Sequence, residues 1–178
     1  MKHVMLLIFV LLMTSCATKV ESIKDDRDVL TRENTGYILL GIDSNMSLKS
    51  IVVEGPKNIR ITHNDLTAGS NHILLALEAG EYKLKRIEFS NYFKTSISEQ
   101  EYWTFTINQG EINYAGDIEL RTQWFARSLR FNMELINNSS LALDFLKVNF
   151  PNILSSKSIV YGGPGHDDYL QLWSDKNL

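Results

Sequence analysis

Short apolar segments alternate with turn residues over most of the chain between residues 36 and 136. Residues 37–42 form a continuous apolar run, residues 59–62 alternate apolar and polar side chains, and residues 102–107 are rich in aromatic and β-branched types. Runs of this length and composition are typical of β-strands that are buried on one or both faces. About seven or eight such runs at regular spacing are typical of a β-sandwich or a small barrel. Of the two, we expect a mainly β, antiparallel sandwich.

Two positions within this region predict local irregularities of a strand. In one run the apolar phase shifts from Tyr82 and Leu84 to Ile87 and Phe89, which indicates a β-bulge. Gly116 lies inside another run, where a glycine indicates a bulge or a close approach of the backbone. Both features are structural and require no ligand.

The pattern changes after residue 136. Ser139 or Ser140 caps a segment with leucine and phenylalanine at helical spacing, and Pro151 ends it. We predict a C-terminal helix of about ten residues that packs on the sandwich through this apolar face. Residues 159–161 can add a last short strand. The sandwich is therefore assigned to residues 36–136, and the C-terminal helix and tail to residues 137–178.

The first sixteen residues carry a different signal. Lys2 precedes a continuous apolar run over residues 4–13, and the small residues Thr14 and Ser15 lead to Cys16. At about 1.5 Å per residue, a helix of this length covers about half of a ~30 Å hydrocarbon core. The segment is therefore interpreted as a signal peptide and not as a membrane span.

Residues 12–16 (LMTSC) resemble the lipobox of bacterial lipoproteins, in which small residues precede a cysteine that is lipidated and becomes the first residue. Met13 stands where leucine is usual in that family. The resemblance implies that residues 1–15 are a lipoprotein signal peptide and that Cys16 carries the lipid. The alternative is an ordinary secretory leader followed by a chance cysteine.

The residues after Cys16 indicate where in the cell envelope the protein is expected and how it is attached. By the same resemblance, Ala17 rather than aspartate at the next position implies an outer-membrane lipoprotein that faces the periplasm. Residues 16–35 are polar and charged and have no sustained apolar stripe, so we expect a flexible, lipid-anchored tether. A short amphipathic helix is the competing interpretation of this segment.

Residues 73–82 (ILLALEAGEY) and 105–117 (FTINQGEINYAGD) resemble a recurring pattern in small bacterial envelope lipoproteins. Residues 148–153 resemble the helix end that often follows in that group. The resemblance implies a β-sandwich of the prealbumin or carboxypeptidase-regulatory-domain kind. These motifs are structural, so they imply a fold and a location but no activity.

Composition narrows the class of function. Eighteen basic and 21 acidic residues give a net charge of −3, so no overall positive field favours nucleic acid. A single cysteine excludes an internal disulfide and a multi-cysteine zinc site. The sequence contains no Gly-x-Ser-x-Gly, His-Glu-x-x-His, P-loop or Gly-x-Gly-x-x-Gly motif. We therefore expect a protein that is not an enzyme, with no catalytic residue and no cofactor.

Candidate ligand-binding residues cluster around one tryptophan. Trp124 lies in a polar stretch with Arg121 and Arg127, where an exposed aromatic ring could stack on a sugar. Several other aromatic and histidine positions have a simpler structural interpretation as core, strand-edge or turn residues: Trp103, Trp173, His72, and His63 with Asp65.

A second group of polar residues follows the Gly-Pro-Gly loop near the end of the chain. His166 and Asp168 could contribute to a divalent-cation site. Adjacent residues of an extended chain point to opposite sides, however, which argues against convergence with Asp167. We expect no metal site here, and a solvated acidic tail instead.

Together these observations favour a lipid-anchored periplasmic module that presents loops or an edge strand to a protein partner in the envelope. The expected partners are the membrane, through lipid on Cys16, and an envelope protein. Two alternatives stay open. One is a carbohydrate- or peptidoglycan-binding module with exposed aromatic residues, and the other is a hydrolase whose carboxylates are dispersed in the sequence.

Overall fold

A computed structural model describes residues 17–30, 33–97, 103–126 and 128–177. In these residues two β-sheets pack face to face, and helices cover the outer face of the second sheet. The predicted mainly β sandwich is therefore confirmed. None of the described helices is long and apolar enough to cross a membrane.

The strands divide between the sheets as follows. In order, the first sheet contains β1 (Thr18–Val20), β4 (Ile59–Thr62), β3 (Ser50–Glu54) and β6 (Gly80–Glu88), with β7 (Lys94–Ser96) and β8 (Thr104–Ile107) both on β6. In order, the second sheet contains β10 (Ser128–Ile136), β9 (Ile112–Phe125), β2 (Thr35–Ser44) and β5 (Gly69–Glu78), with β11 (Ile159–Tyr161) on β9.

Three of the strand pairs are parallel, which differs from the antiparallel arrangement expected from the sequence. They are β1 with β4, β2 with β9, and β11 with β9. A short turn forces its two strands to be antiparallel, as in β9 and β10. The three parallel pairs join segments that are far apart in the chain, so no turn determines their relative direction.

Strand β2 is buried on both faces. Ile38 and Leu40 lie in the core between the two sheets, whereas Tyr37 and Leu39 lie in the core between the second sheet and the helices. Two-sided burial explains why this strand is apolar at successive positions and does not alternate with polar residues.

The bulge predicted from the phase shift lies in β6. Val52 of β3 pairs with Arg86, and the next residue, Val53, pairs with Leu84. Lys85 is therefore the extra residue, and it moves the buried positions from Leu84 to Ile87. This prediction is confirmed.

The predicted irregularity at Gly116 is also present. Leu39 of β2 pairs with Tyr114, while Gly41 pairs with Asp117, so β9 contains one more residue than β2 over this stretch. Gly116 has a φ of +103°, a conformation that favours glycine.

Three helices follow β10 in the described part of the chain. They are α1 (Ser139–Asn149), α2 (Pro151–Ser156) and α3 (Asp168–Asn177). The predicted helix corresponds to α1, but Pro151 also begins α2, where the missing N–H of proline costs nothing. The expected tail instead contains α3, which buries Leu170 in the helix-facing core.

Residues 17–30, which we name the N-terminal strap, lie against the sandwich and do not form the expected flexible tether. At one end of the strap, β1 pairs with β4. Further along, the carboxylate of Asp26 accepts hydrogen bonds from Asn152 N at 2.8 Å and Ile153 N at 3.0 Å, in the first turn of α2. The strap thus connects the first sheet to the helix layer.

The strap docks through a few side chains that have partners far away in the sequence. Ile23 and Leu30 pack against the helix-facing core. Asp28 accepts a hydrogen bond from the Tyr37 hydroxyl at 2.8 Å, and its other oxygen lies 2.8 Å from Lys157 Nζ. Isolated contacts of this kind leave no periodic pattern, so the sequence alone suggested a tether.

The Asp26 contact gives a test of strap docking. We expect Asp26→Ala to lower the free energy of unfolding by about 1 kcal/mol, because two N–H groups at the start of a helix lose their acceptor. Asp25→Ala is the matched control, since the Asp25 side chain is exposed. Urea unfolding of both variants provides the measurement, and equal losses of stability would contradict a docked strap.

Candidate functional site

The longest strand of the second sheet continues past its neighbour as a two-stranded ribbon. Pairing of β2 with β9 ends at Ser44 opposite Leu120, but β10 stays paired with β9 as far as Ser128 opposite Phe125. We name residues 121–126 and 128–132 the ribbon. At about 3.4 Å per residue, residues 121–125 extend about 17 Å beyond β2.

The base of the ribbon is held by Asn45, in the turn after β2. Asn45 Nδ2 donates to the backbone oxygen of Thr122 at 2.7 Å. Asn45 Oδ1 accepts hydrogen bonds from both N and Oγ1 of Thr122, each at 2.8 Å. This side chain thus replaces the missing backbone partner at the point where β2 ends.

Arg121 also lies at the base of the ribbon. Its Nη2 is 2.6 Å from Asp43 Oδ2 and 2.8 Å from Glu119 Oε1, and its Nη1 donates to the Asp43 backbone oxygen at 3.0 Å. Two carboxylates therefore surround this guanidinium, which was predicted as a ligand contact. Its role in the structure is to fasten β9 to β2. Arg127, the other predicted arginine, lies outside the described residues.

The ribbon exposes three large aromatic side chains. Trp124, Phe125 and Phe131 are 57%, 59% and 43% exposed. Trp124 packs edge-on against Phe93 at a centroid distance of 5.1 Å, and the Arg130 guanidinium lies 4.5 Å from the centre of the Phe125 ring. We name Trp124, Phe125 and Phe131 the aromatic surface. Phe131 pairs with Thr122, so Trp124 and Phe131 lie on one face of the ribbon and Phe125 lies with Arg130 on the other.

The other two tryptophans have structural positions. Trp103 is buried in the core between the sheets. Trp173 packs against the helix-facing core, with Lys147 Nζ 5.8 Å from its ring centre. Trp124 is therefore the tryptophan that the sandwich presents on its ribbon.

The ribbon and the first described residues lie at opposite corners of the sandwich. β1 is the edge strand farthest from β6 in the first sheet, and Thr18 pairs with Ile59 at the start of β4. The other end of β4 lies beside Ser50, which pairs with Glu88. Phe93, in the turn after Glu88, contacts the ribbon.

Of the three polar residues after the Gly-Pro-Gly loop, His166 and Asp168 lie together and Asp167 does not join them. His166 Nε2 lies 2.6 Å from Asp168 Oδ1, and both side chains are exposed. Asp167 turns away and accepts hydrogen bonds from Ser139 Oγ, from Asn137 and, at 2.7 Å, from Tyr169 N. Over the described ranges, no group of three or more His, Cys, Asp or Glu side chains could hold a metal ion.

A buried polar network joins the second sheet to α1. Asp117 accepts hydrogen bonds from the Tyr114 hydroxyl at 2.7 Å and from Asn138 Nδ2 at 3.0 Å. His72 Nε2 lies 3.7 Å from Asp117 Oδ1, and the imidazole stacks on Phe145 at 4.9 Å. Sequence reasoning placed His72 at a strand edge and did not select Asp117, because the network joins distant segments.

Burial and hydrogen bonding shift the pKa values of two members of this network, His72 and Tyr114. Burial lowers the pKa of His72 below its ordinary value of 6.5, although the charge of Asp117 opposes the shift. Burial and the hydrogen bond to Asp117 raise the pKa of the Tyr114 hydroxyl. Tyr114 therefore stays a donor, and the network ties secondary structure together.

The remaining buried carboxylates are also paired. Asp65 accepts from Ser22 N at 3.0 Å and from Lys24 Nζ at 2.6 Å, so it fastens the strap. His63, beside it, is exposed. Glu88 accepts from Ser50 Oγ at 3.0 Å and faces the cationic groups of Lys49, Arg60 and Arg86.

A cavity of about 330 Å³ lies between the strap and the sheet edges. Apolar residues line it together with Lys57 and Glu78. Asp65, Glu88 and Asp117 do not line this cavity. A buried carboxylate in a cleft, as a hydrolase would use, is therefore not found at this cavity.

Burial of His72 leads to a prediction about pH. Its folded pKa lies below 6.5, so the unfolded state binds more protons and stability decreases as pH falls below about 6.5. Glu88 affects stability at lower pH. Burial raises its pKa, but the hydrogen bond from Ser50 and the charge of Arg60 outweigh burial, so its pKa lies below the ordinary value of 4.5.

We expect His72→Gln to flatten the dependence of the unfolding free energy on pH between about 7 and 5. The exposed His63 supplies the control, since His63→Gln leaves a wild-type slope. Urea unfolding at several pH values measures both slopes. A wild-type slope in the His72 variant would show that this imidazole titrates equally in the folded and unfolded states.

No protein-family model matches the chain, and no curated protein matches it significantly.

Proposed function

We propose that the chain is a lipid-anchored periplasmic lipoprotein of the outer membrane that binds an envelope protein through the aromatic surface of its ribbon. The observation that carries this proposal is the exposure of Trp124, Phe125 and Phe131 on a ribbon that projects from the sandwich. The proposed role is adaptor or structural module, without catalysis.

The chemistry of the surface supports a protein partner. Aromatic residues and arginine are enriched in the cores of protein interfaces, and they supply most hot spots. Arg130 lies over Phe125, so its guanidinium and the ring form one surface of mixed apolar and hydrogen-bonding character. Contacts at the base hold the ribbon before binding, which reduces the entropy lost on association.

The proposed anchor determines which way the ribbon points. Cys16 lies outside the described residues, but Thr18 is already paired in β1. Two residues span at most about 7 Å. A lipid on Cys16 would therefore hold the corner of the sandwich at Thr18 near the bilayer, and the ribbon at the opposite corner would extend into the periplasm.

A second candidate function is binding of peptidoglycan or another carbohydrate. The observation in its favour is that Trp124 is more than half exposed and lies on the same face of the ribbon as Thr122. A tryptophan ring beside hydrogen-bonding side chains is suited to stacking on a sugar. Arg121, one of the expected polar contacts, is paired with two carboxylates, and its side chain is 46% exposed.

The anchor is tested with the full chain in a Gram-negative host. We expect wild-type protein to incorporate labelled palmitate and to sediment with outer membranes, because two or more acyl chains attach a protein stably. Cys16→Ala should lose the label. Lys19→Ala, in the adjacent exposed strap, is the control that should keep it. Labelling of the Cys16→Ala variant would overturn the lipobox interpretation.

The binding surface is tested by purification of the full chain from membranes in mild detergent, followed by mass spectrometry. We expect wild-type protein to retain a stoichiometric envelope protein, and Trp124→Ala to weaken this binding about tenfold or more, as for a hot-spot residue. Tyr169→Ala is the matched control, because it removes an exposed aromatic ring from α3.

The two functions differ in the outcome of this experiment. Equal retention of the partner by the wild-type, Trp124 and Tyr169 variants would contradict binding through the aromatic surface. Retention of purified peptidoglycan in a sedimentation assay, lost in Trp124→Ala and kept in Tyr169→Ala, would favour the carbohydrate function. Both assays use the same three proteins.

A further inference from the structure

Strand β10 is the longest open sheet edge among the described residues. Nine residues, Ser128–Ile136, pair with β9 on one side and with none of the described strands on the other. The edge strands of the first sheet, β1, β7 and β8, have three, three and four residues. The strap partly covers β5, since Ile23 N donates to Leu74 O at 2.8 Å.

The sequence of β10 lacks two of the residues that protect an edge from strand addition. Residues 128–136 (SLRFNMELI) contain no proline or lysine, and their two charged side chains are of opposite sign. Apolar side chains alternate with polar ones, so one face of the strand matches the sandwich core and the other matches solvent. An open strand of this kind is a template for another strand.

Two charges on the polar face of β10 lack an opposite charge. Among the described residues, neither Arg130 nor Glu134 forms an ion pair; Arg130 lies over the Phe125 ring and Glu134 accepts from Asn132 Nδ2. Within the sheet, Glu134 lies opposite Glu119, a like charge. Like charges at directly opposed positions are unfavourable.

We propose that β10 pairs antiparallel with β10 of a second copy of this chain, across a twofold axis at Asn132. A residue of one copy then lies opposite the residue of the other copy that is equally far from Asn132 on its other side. Arg130 of each copy faces Glu134 of the other, and the two ends of the strand, Ser128 and Ile136, also match. All nine residues of β10 are therefore paired.

The charges select this register over its neighbours. The apolar side chains of both copies lie on the same side of the joined sheet only when the twofold axis passes through a residue of β10, and not between two residues. Centring on Phe131 pairs Arg130 with Asn132, and centring on Met133 pairs Glu134 with Asn132. Centring on Asn132 alone among these three forms two Arg–Glu pairs and uses the full strand.

The inferred dimer joins the second sheets of two copies into one continuous sheet. It does not depend on the lipid anchor or on the proposed envelope partner, since it uses the backbone edge of β10. The two ribbons then project in opposite directions from the twofold axis, so each end of the joined sheet carries one aromatic surface.

Disulfide cross-linking in native membranes tests the register. Opposed residues of antiparallel strands have Cα atoms about 4.5–5.5 Å apart, within the range that a disulfide can bridge. We expect Asn132→Cys to form a covalent dimer on mild oxidation. The matched control is Ser128→Cys on the same strand and face, whose two copies would lie about 27 Å apart.

Cys16 is the only cysteine of the wild-type chain, so wild-type protein reports any cross-link through that residue. A dimer of Asn132→Cys alone supports the inference. Equal dimer in Ser128→Cys, or no dimer in either variant, overturns the register.

Charge reversal tests the pairing independently. We expect Arg130→Glu and Glu134→Arg each to weaken dimerisation of the detergent-solubilised chain about tenfold, since each places two like-charge pairs across the axis. The double variant restores both pairs and should recover most of the wild-type affinity. Sedimentation equilibrium measures the constants, and circular dichroism verifies that each variant is folded.

A wild-type chain that stays monomeric at the highest concentration in both detergent and membranes overturns the inference. So does a double variant that is weaker than either single variant. The envelope partner is measured in a separate experiment on Trp124, so the two proposals fail independently.

Discussion

Strand β2 has no face towards solvent, and the order of the layers follows from this constraint. Its even-numbered side chains from Ile38 to Ile42 fill the space between the sheets, and Tyr37 and Leu39 fill the space under the helices. A slip of one residue would exchange these two sets. Full burial of each such side chain contributes about 1.5–3 kcal/mol, so the register of β2 is strongly specified.

The contact of Gly41 with Asp117 adds a second constraint on the same strand. A Cβ at Gly41 would lie 1.8 Å from Asp117 Oδ1, so only glycine leaves room for this carboxylate. Asp117 in turn accepts hydrogen bonds from Tyr114 and from Asn138, directly before α1. One small residue in β2 therefore allows the polar contacts that orient the helix layer.

Features determined by neighbouring residues were predictable from the sequence. The sandwich strands, α1 and the bulges in β6 and at Gly116 each leave a local pattern of apolar positions or a glycine. The polar neighbours of Trp124 likewise indicated its exposure.

Features that join distant segments were not predictable. Asn152, a partner of Asp26, lies 126 residues away, and Asp43, one of the two carboxylates on Arg121, lies 78 residues away. Neither the docked strap nor the contact of Arg121 with β2 therefore leaves a local pattern. The parallel pairs and α3 depend on the same kind of distant packing. Single-residue chemistry selected Trp124 for exposure, but it did not select Phe125 or Phe131 and could not assign roles to the charges around them.

The parallel pairing of β1 with β4 has a mechanical consequence. Residue 17 leads directly into Thr18, and the ribbon projects from the opposite corner. Tension applied between these two points would load β1 along its own length, in shear, so that its three register pairs must break together. The strap would then be peeled from α2 only after β1 had separated from β4.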